Sequence, residues 1–199
     1  MWLSNVLIGF VRLWIGASPR WVGSQPENVQ RIYFANHSSH IDTVVLWSAL
    51  PADLRAKTRP VAAADYWGKT PFRRYVALKG FNVVLINRDR CNWTTDPLQP
   101  LYEALERGDS LIIFPEGTRQ AQPLPGPFKP ALFYLSERFP QVELIPVYLE
   151  NVYRCMPNGT FFPVPLTCTV RFGRPQERVN NEDRQIFLTR ARNAVIGLA

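Results

Sequence analysis

Short apolar runs alternate along the chain with segments whose apolar residues recur at helical spacing. The runs predict strands near residues 31–36, 60–65, 81–86, 110–114, 143–149 and 167–173. The segments between them predict helices at about residues 42–50, 70–79, 97–107, 130–138 and 181–197. Asn180 or Asn181 is the expected cap of the last helix, with acidic residues in its first turn. This alternation predicts an α/β fold, with a mostly parallel or mixed central sheet flanked by helices.

The amino-terminal segment has a pattern of its own. Large apolar side chains cover most of one helix surface, at Trp2, Leu3, Val6, Leu7, Phe10, Leu13 and Trp14. The run is shorter than the roughly 20 residues that span a bilayer. We therefore expect residues 1–22 to form an amphipathic helix in the membrane interface, with Trp2, Trp14 and Trp21 at head-group depth, followed by one domain over residues 23–199. The alternative is a helix packed on the core of that domain.

A polar turn follows the first predicted strand and reads Asn-His-Ser-Ser-His-Ile-Asp over residues 36–42. It places His37 before the next helix and Asp42 in the first turn of that helix, with Ser38 or Ser39 available as caps. Imidazole can take a proton from a hydroxyl near neutral pH, and a neighbouring carboxylate fixes its tautomer. The pair predicts a general base, although an isolated histidine at a strand end is also a common structural residue.

Two neighbouring features bear on this prediction. No serine stands in a Gly-x-Ser-x-Gly setting, so we expect the substrate's own hydroxyl to be the nucleophile. His40 has Val45 five residues later instead of a carboxylate, so we interpret His40 as structural.

A second polar turn, Phe-Pro-Glu-Gly-Thr-Arg over residues 114–119, follows another buried strand. The planar guanidinium of Arg119 suits two-point binding of phosphate, and Gly117 lets the backbone approach a ligand closely. The alternative is an ordinary turn at the end of a strand. The spacing of a nucleotide-binding loop is absent. Residues 120–130 are rich in proline and predict a semi-rigid loop beside the site.

Four sequence blocks occur together and in a recognisable order. They are residues 36–42, residues 80–88 from Gly80 to Arg88, residues 114–119, and Leu-Ile-Pro-Val at 144–147. In these blocks the chain resembles the glycerol-phosphate and lysophospholipid acyltransferase family, and the bacterial lysophosphatidate acyltransferases in particular. The resemblance covers most of the chain, from about residue 30 to residue 175.

The resemblance implies a role for each matching residue. His37 would be the general base and Asp42 the residue that orients it. The acceptor site would consist of Arg88, Glu116, Gly117, Thr118 and Arg119. The chain departs from the family pattern at residues 64–67, where Asp65 introduces an acid that bears on the head group accepted, and at residues 128–131, where the usual glycine is missing. Lys129 in that second stretch either helps to hold phosphate or is a solvated surface lysine.

The implied activity is transfer of a fatty acyl group from acyl-CoA or acyl carrier protein to a hydroxyl of a lysophospholipid, 1-acylglycerol-3-phosphate above all, in phospholipid biosynthesis. No cofactor or metal is implied. The enzyme would lie peripherally on the cytoplasmic face of a membrane, the bacterial inner membrane. Two alternatives remain open: a non-catalytic lipid-binding protein of the same fold, and a thioester hydrolase in which water replaces the acceptor.

Charge and cysteine usage agree with this setting. The net charge is +7, and between residues 53 and 90 nine basic residues face three acidic ones, a local excess of nine minus three, or +6. Such a stretch suits anionic lipid, the phosphates of coenzyme A or the acidic face of a carrier protein; no nucleic-acid fold signature accompanies it, so no nucleic-acid partner is expected. Cys91, Cys155 and Cys168 are odd in number and scattered, which favours reduced thiols in the cytosol over disulfides or a metal site.

Overall fold

The computed structural model describes residues 9, 16–67, 70, 75, 80–87, 96–120, 122–155 and 167–199. Within them lie seven strands: β1 (Ser18–Trp21), β2 (Arg31–Ala35), β3 (Thr58–Ala63), β4 (Val84–Ile86), β5 (Ser110–Ile113), β6 (Glu143–Glu150) and β7 (Thr169–Phe172). The helices of the same residues are α1 (Asp42–Ala49), α2 (Ala52–Ala56), α3 (Ala64–Trp67), α4 (Gln99–Glu106), α5 (Ala131–Arg138), α6 (Val152–Cys155) and α7 (Arg184–Ile196).

The seven strands form one sheet in the order β1-β7-β6-β2-β5-β3-β4. Neighbouring strands are parallel except for β6 and β7, which pair antiparallel. Strands β1 and β7 therefore run against the other five. This arrangement confirms the prediction of a mostly parallel or mixed sheet in an α/β fold.

Strand β2 occupies the middle of the sheet and is buried along its whole length, between β5 and β6. Its alternate side chains enter two separate apolar cores, one on each face, as the two-residue period of a strand requires. Tyr33 packs with Leu46 of α1 and Phe172 of β7, whereas Phe34 packs on the opposite face with Leu132 of α5 and Leu188 of α7. The register is fixed because a shift by one residue would exchange the two sets.

The topology determines where the two polar turns lie. Strands β2 and β5 are parallel neighbours, with Phe34 opposite Ile113. Residues 36–42 follow β2 and residues 114–119 follow β5, so both turns leave the sheet at the same edge. Crevices at the carboxyl ends of parallel strands are the usual ligand sites of such sheets.

The amino-terminal part of the chain differs from its prediction. The expected helix over residues 1–22 gives way to strand β1 at its end, which pairs with β7 at the sheet edge. Trp21, expected at head-group depth, stacks instead on Phe172 with ring centroids 4.0 Å apart. Contact with a buried aromatic ring explains why this tryptophan joins the domain. Of residues 1–15 only Gly9 is described, so most of the predicted helix lies outside the described residues.

Helix starts also differ from the sequence prediction. Helix α7 begins three residues after Asn181, and Asp183 rather than Asn180 or Asn181 is its cap, because the Asp183 carboxylate accepts the N–H groups of Gln185 and Ile186. Helix α1 has no side-chain cap, and its N-cap position is Ile41 instead of Ser38 or Ser39. The predicted helix over residues 70–79 lies almost entirely outside the described residues.

The short helices α2, α3 and α6 were not predicted, and α3 takes the last two residues expected in the strand at 60–65. In the part of the chain that the structure describes, no helix is both long enough and apolar enough to cross a bilayer.

The capping of α7 leads to a stability prediction. Replacing Asp183→Ala removes the acceptor for two N–H groups and should lower the free energy of unfolding by about 1 kcal/mol. Asn180→Ala, three residues earlier and outside the cap, should change it by less than about 0.5 kcal/mol. Urea denaturation followed by circular dichroism measures both variants, and equal losses would contradict the assigned cap.

Candidate active site

His37 and Asp42 meet at the carboxyl end of β2. Nδ1 of His37 lies 2.8 Å from Oδ2 of Asp42, whose side chain is 0% exposed. The same oxygen accepts the backbone N–H groups of Ser38 at 2.6 Å and Ser39 at 2.7 Å. The serines thus hold the carboxylate through their main chain and do not cap the helix with their hydroxyls. A carboxylate oxygen can only accept hydrogen bonds, so the ring nitrogen that faces it must be the donor. The neutral imidazole therefore carries its proton on Nδ1 and its lone pair on Nε2.

The His37 ring is partly covered. Phe114, the first residue of the second turn, stacks on it with a centroid distance of 4.3 Å and an interplanar angle of 23°. The His37 side chain remains 22% exposed. Since Nδ1 faces the buried Asp42, Nε2 on the other side of the ring is the nitrogen available to a substrate.

Glu116 joins the two turns through its carboxylate. The side chain belongs to a residue that is 2% exposed, and burial raises the pKa of Glu116, an effect opposed by the two N–H groups it accepts. Oε1 accepts the backbone N–H of His37 at 2.7 Å, and Oε2 accepts that of Gly126 at 2.8 Å. The carbonyl of His37 in turn accepts the N–H of Gln120 at 2.8 Å. Both oxygens of Glu116 thus accept hydrogen bonds from backbone N–H groups. The expected contact of Glu116 with substrate stays a prediction.

The turn at residues 117–119 presents its polar groups to solvent. Gly117 has a φ of +70°, a conformation that favours glycine, and a Cβ there would lie 2.7 Å from Nζ of the Lys129 side chain. Lys129 thereby lies against this turn. Thr118 and Arg119 are exposed. Two cations therefore lie at this turn: Arg119 within it and Lys129 against Gly117.

Arg119 also contacts His40, which the sequence suggested was structural. The Nη1 atom of Arg119 lies against the His40 ring, 2.7 Å from Nε2. Partial burial lowers the pKa of His40, and the positive charge of Arg119 lowers it further. His40 is an exposed residue at the rim of the site, so it borders the region where an anion would bind.

Asn36 is a buried polar residue that the sequence placed in the motif without a role. It is 1% exposed, and its side chain exchanges hydrogen bonds with the main chain of Leu149, accepting the N–H at 2.8 Å and donating to the carbonyl at 3.2 Å. The same amide nitrogen donates to the carbonyl of Pro123 at 3.1 Å. Asn36 thus ties β2 to the end of β6 and to the proline-rich loop, which lies beside the site as predicted. The sequence contained one sign of this structural role, which is that the side-chain amide of Asn36 comes directly after a buried strand.

Other predicted residues have different outcomes. Arg88 lies outside the described residues, as does Cys91. Cys155 and Cys168 are buried, and burial raises the pKa of Cys168 to about 12, which keeps that thiol protonated. Within the described ranges no group of three or more His, Cys, Asp and Glu residues could hold a metal ion.

The basic stretch between residues 53 and 90 is described only in part. Arg55, Lys57 and Arg59 lie where β3 begins, at the sheet edge opposite the two polar turns. Asp65 follows β3 on α3, at the same edge as His37. The described cations of this stretch therefore lie at the opposite sheet edge from the two polar turns, whereas Asp65 lies at the same sheet edge as those turns.

Comparisons with known proteins agree with this architecture. The chain is 28% identical over 183 residues to a 1-acyl-sn-glycerol-3-phosphate acyltransferase of Limnanthes douglasii, with 89% of this chain and 60% of that protein covered. It is 24% identical over 180 residues to the protein of the same name from Cocos nucifera, with 89% and 56% covered. The chain thus spans about 60% of the length of the curated relatives it matches.

The fold has a close counterpart among solved structures. The crystal structure of the 1-acyl-sn-glycerophosphate (LPA) acyltransferase PlsC from Thermotoga maritima superposes with a TM-score of 0.74 at 20% identity, covering 98% of this chain and 78% of that one. The family model described as Acyltransferase matches residues 22–150, a range that contains both polar turns and five of the seven strands. The chain therefore belongs to the Acyltransferase family, as its four sequence blocks predicted.

Proposed function

We propose that this chain is an O-acyltransferase that moves a fatty acyl group from an acyl thioester to the free hydroxyl of 1-acylglycerol-3-phosphate. The observation that carries the proposal is the His37–Asp42 pair with Arg119 and Lys129 beside it, an arrangement that supplies a base and an anion site at one sheet edge. The names of the curated relatives support the same reaction. The family to which the chain belongs supplies the reaction class.

In the proposed reaction His37 first accepts a proton and later donates it. The acceptor hydroxyl attacks the thioester carbonyl carbon and gives its proton to Nε2 of His37, while Asp42 stabilises the imidazolium that forms. The tetrahedral intermediate collapses with cleavage of the C–S bond. The imidazolium then returns the proton to the leaving thiolate, so the products are the ester and the free thiol. No acyl-enzyme forms, because the attacking oxygen belongs to the acceptor.

The acceptor is held by its phosphate. Arg119 presents a guanidinium at the exposed end of the second turn, and Lys129 adds a point charge above Gly117. Thr118 and the main chain at Gly117 complete this part of the acceptor site, and Arg88 is expected to join it. Positioning of the hydroxyl against Nε2 contributes to the rate, since orientation alone can remove roughly 7 to 11 kcal/mol from a barrier.

The surroundings of the enzyme follow from its substrates. The acceptor carries an acyl chain and resides in lipid, so the chain works at a membrane surface, peripherally and on the cytoplasmic side. Residues 1–16 supply the interfacial segment through their tryptophans and other large apolar side chains. Acyl-CoA and acyl carrier protein are the two donor classes to be compared.

His37→Ala should lower transfer by roughly 10² to 10⁴ without unfolding the protein. The assay mixes the purified chain with oleoyl-CoA and a panel of lysophospholipids and identifies products by mass spectrometry. Thermal unfolding of the variant serves as the folding control. A variant with near-native rates would overturn the mechanism. Thioester cleavage that ignores added acceptor would point to a hydrolase, and lipid binding without turnover, with either donor class, would point to a non-catalytic protein.

Arg119→Ala should raise the KM for the acceptor about tenfold to a hundredfold, because a charge-assisted contact to phosphate is lost. The KM for the thioester should change little. Arg107→Ala is the matched control, since Arg107 is an exposed arginine just before β5, at the opposite sheet edge. Initial rates over an acceptor titration measure both variants, and an unchanged acceptor dependence in Arg119→Ala would refute the assignment.

Deletion of residues 1–16 should weaken binding to anionic vesicles, because it removes the apolar side chains expected to enter the interface. The measurement is co-sedimentation with phosphatidylglycerol vesicles, with the intact chain alongside. Thermal unfolding of the truncated chain shows whether the domain is retained. Equal sedimentation of the two forms would count against an interfacial segment.

A further inference from the structure

An arginine of the last helix reaches the loop beside the site. Nε of Arg192 lies 2.9 Å from the carbonyl oxygen of Pro125 and 3.2 Å from that of Gly126. Arg192 is half-buried, and both loop residues are buried. The family match ends at residue 150, so Arg192 lies in a part of the chain that the match does not include, whereas the two loop residues lie within it.

The loop passes this contact on to the first turn. Gly126 donates its N–H to Oε2 of Glu116, and the other oxygen of Glu116 accepts the N–H of His37. A continuous series of hydrogen bonds therefore joins Arg192 to the main chain of the proposed base. Each link involves a buried or half-buried group, where an unmade hydrogen bond is costly.

Gly126 also lies close to a second residue that contacts the His37 backbone. A Cβ at that position would lie 3.0 Å from Nε2 of Gln120 and 3.4 Å from Oε2 of Glu116. Gln120 in turn donates its N–H to the carbonyl of His37. The loop thus lies beside both residues that hold His37 by its backbone, Glu116 and Gln120.

We propose that Arg192 is a positioning residue for His37, acting through Gly126 and Glu116. The proposal rests on the proposed function, in which the His37 ring must hold its place against the acceptor hydroxyl. Arg192 touches neither substrate nor reacting atoms. It fixes the loop carbonyls, the loop presents the Gly126 N–H to Glu116, and Glu116 fixes the His37 backbone from which the imidazole projects.

The attachment of the helix itself does not depend on Arg192. Helix α7 packs on the core through Phe187, Leu188, Ala191 and Val195, all of which are buried. Removing the Arg192 guanidinium therefore leaves α7 docked and releases only the contact with the carbonyls of Pro125 and Gly126. This separation is what allows the positioning role to be tested without unfolding the protein.

The first test compares Arg192→Ala with Arg184→Ala. Arg184 lies on the same helix, is exposed, and donates to the hydroxyl of Tyr134, away from the loop. Arg192→Ala should lower kcat roughly tenfold with both KM values changed less than about twofold, because a misplaced base costs turnover more than affinity. Arg184→Ala should match the wild-type chain, and Arg192→Lys, which keeps a donor, should recover part of the loss.

A double-mutant cycle tests the route through Glu116. Glu116→Gln alters the same series of hydrogen bonds, so adding Arg192→Ala to it should cost much less than Arg192→Ala costs alone. Fully additive losses would overturn the proposal, because they would mean that the two residues act independently.

A measurement independent of turnover completes the design. Hydrogen exchange of the His37 backbone amide can be followed by NMR. The chain has only two histidines, which makes this amide easy to assign. Exchange at His37 should be about tenfold faster in Arg192→Ala and unchanged in Arg184→Ala. Unaltered exchange would overturn the proposal, even if kcat falls. If the wild-type chain transfers no acyl group with either donor, the proposed function fails, while the exchange rates still decide whether Arg192 positions His37. Arg192→Lys supplies the comparison if Arg192→Ala does not fold.

Discussion

The parallel pairing of β2 with β5 is the constraint on which the site depends. It brings two turns that are nearly eighty residues apart in the sequence to one edge, so that Phe114 stacks on His37 and Glu116 accepts its backbone N–H. If the two strands were antiparallel, the turns would leave opposite edges of the sheet. The buried apolar faces of β2 fix this register. The strand pairing that packs the core is therefore the same pairing that brings the two turns together.

Buried carboxylates organise both turns. Asp42 and Glu116 are almost wholly removed from water, and each is stabilised by backbone N–H groups, Asp42 by two and Glu116 by two. A carboxyl group buried in this way is costly unless it has hydrogen-bond partners of this kind. The two acids divide the work, because Asp42 orients the imidazole ring whereas Glu116 holds the main chain beneath it. A single histidine is thereby fixed at both its ring and its backbone.

The sequence was sufficient for the parts of the fold that rest on local patterns. The buried strands, the major described helices and the meeting of His37 with Asp42 follow from period, polar turns and chain direction. The role of Glu116 in holding the His37 backbone did not, because it depends on contact with a main-chain N–H group that lies 79 residues away in the sequence. Strand β1 was missed because an exposed four-residue edge strand carries little apolar signal, and the contact of Arg192 was missed because spacing cannot show which carbonyl a guanidinium meets.

Strand direction determines on which side of the domain the amino-terminal residues are attached. Since β1 runs against β2, the start of β1 lies at the edge where β2 ends. Gly16 lies there, close to Thr167, which is two residues before β7. Residues 1–15 are therefore joined to the domain on the side that carries His37. Under the proposed function, an interfacial segment attached on that side would place the edge that carries His37 toward the membrane surface, on the side from which a lipid acceptor would arrive.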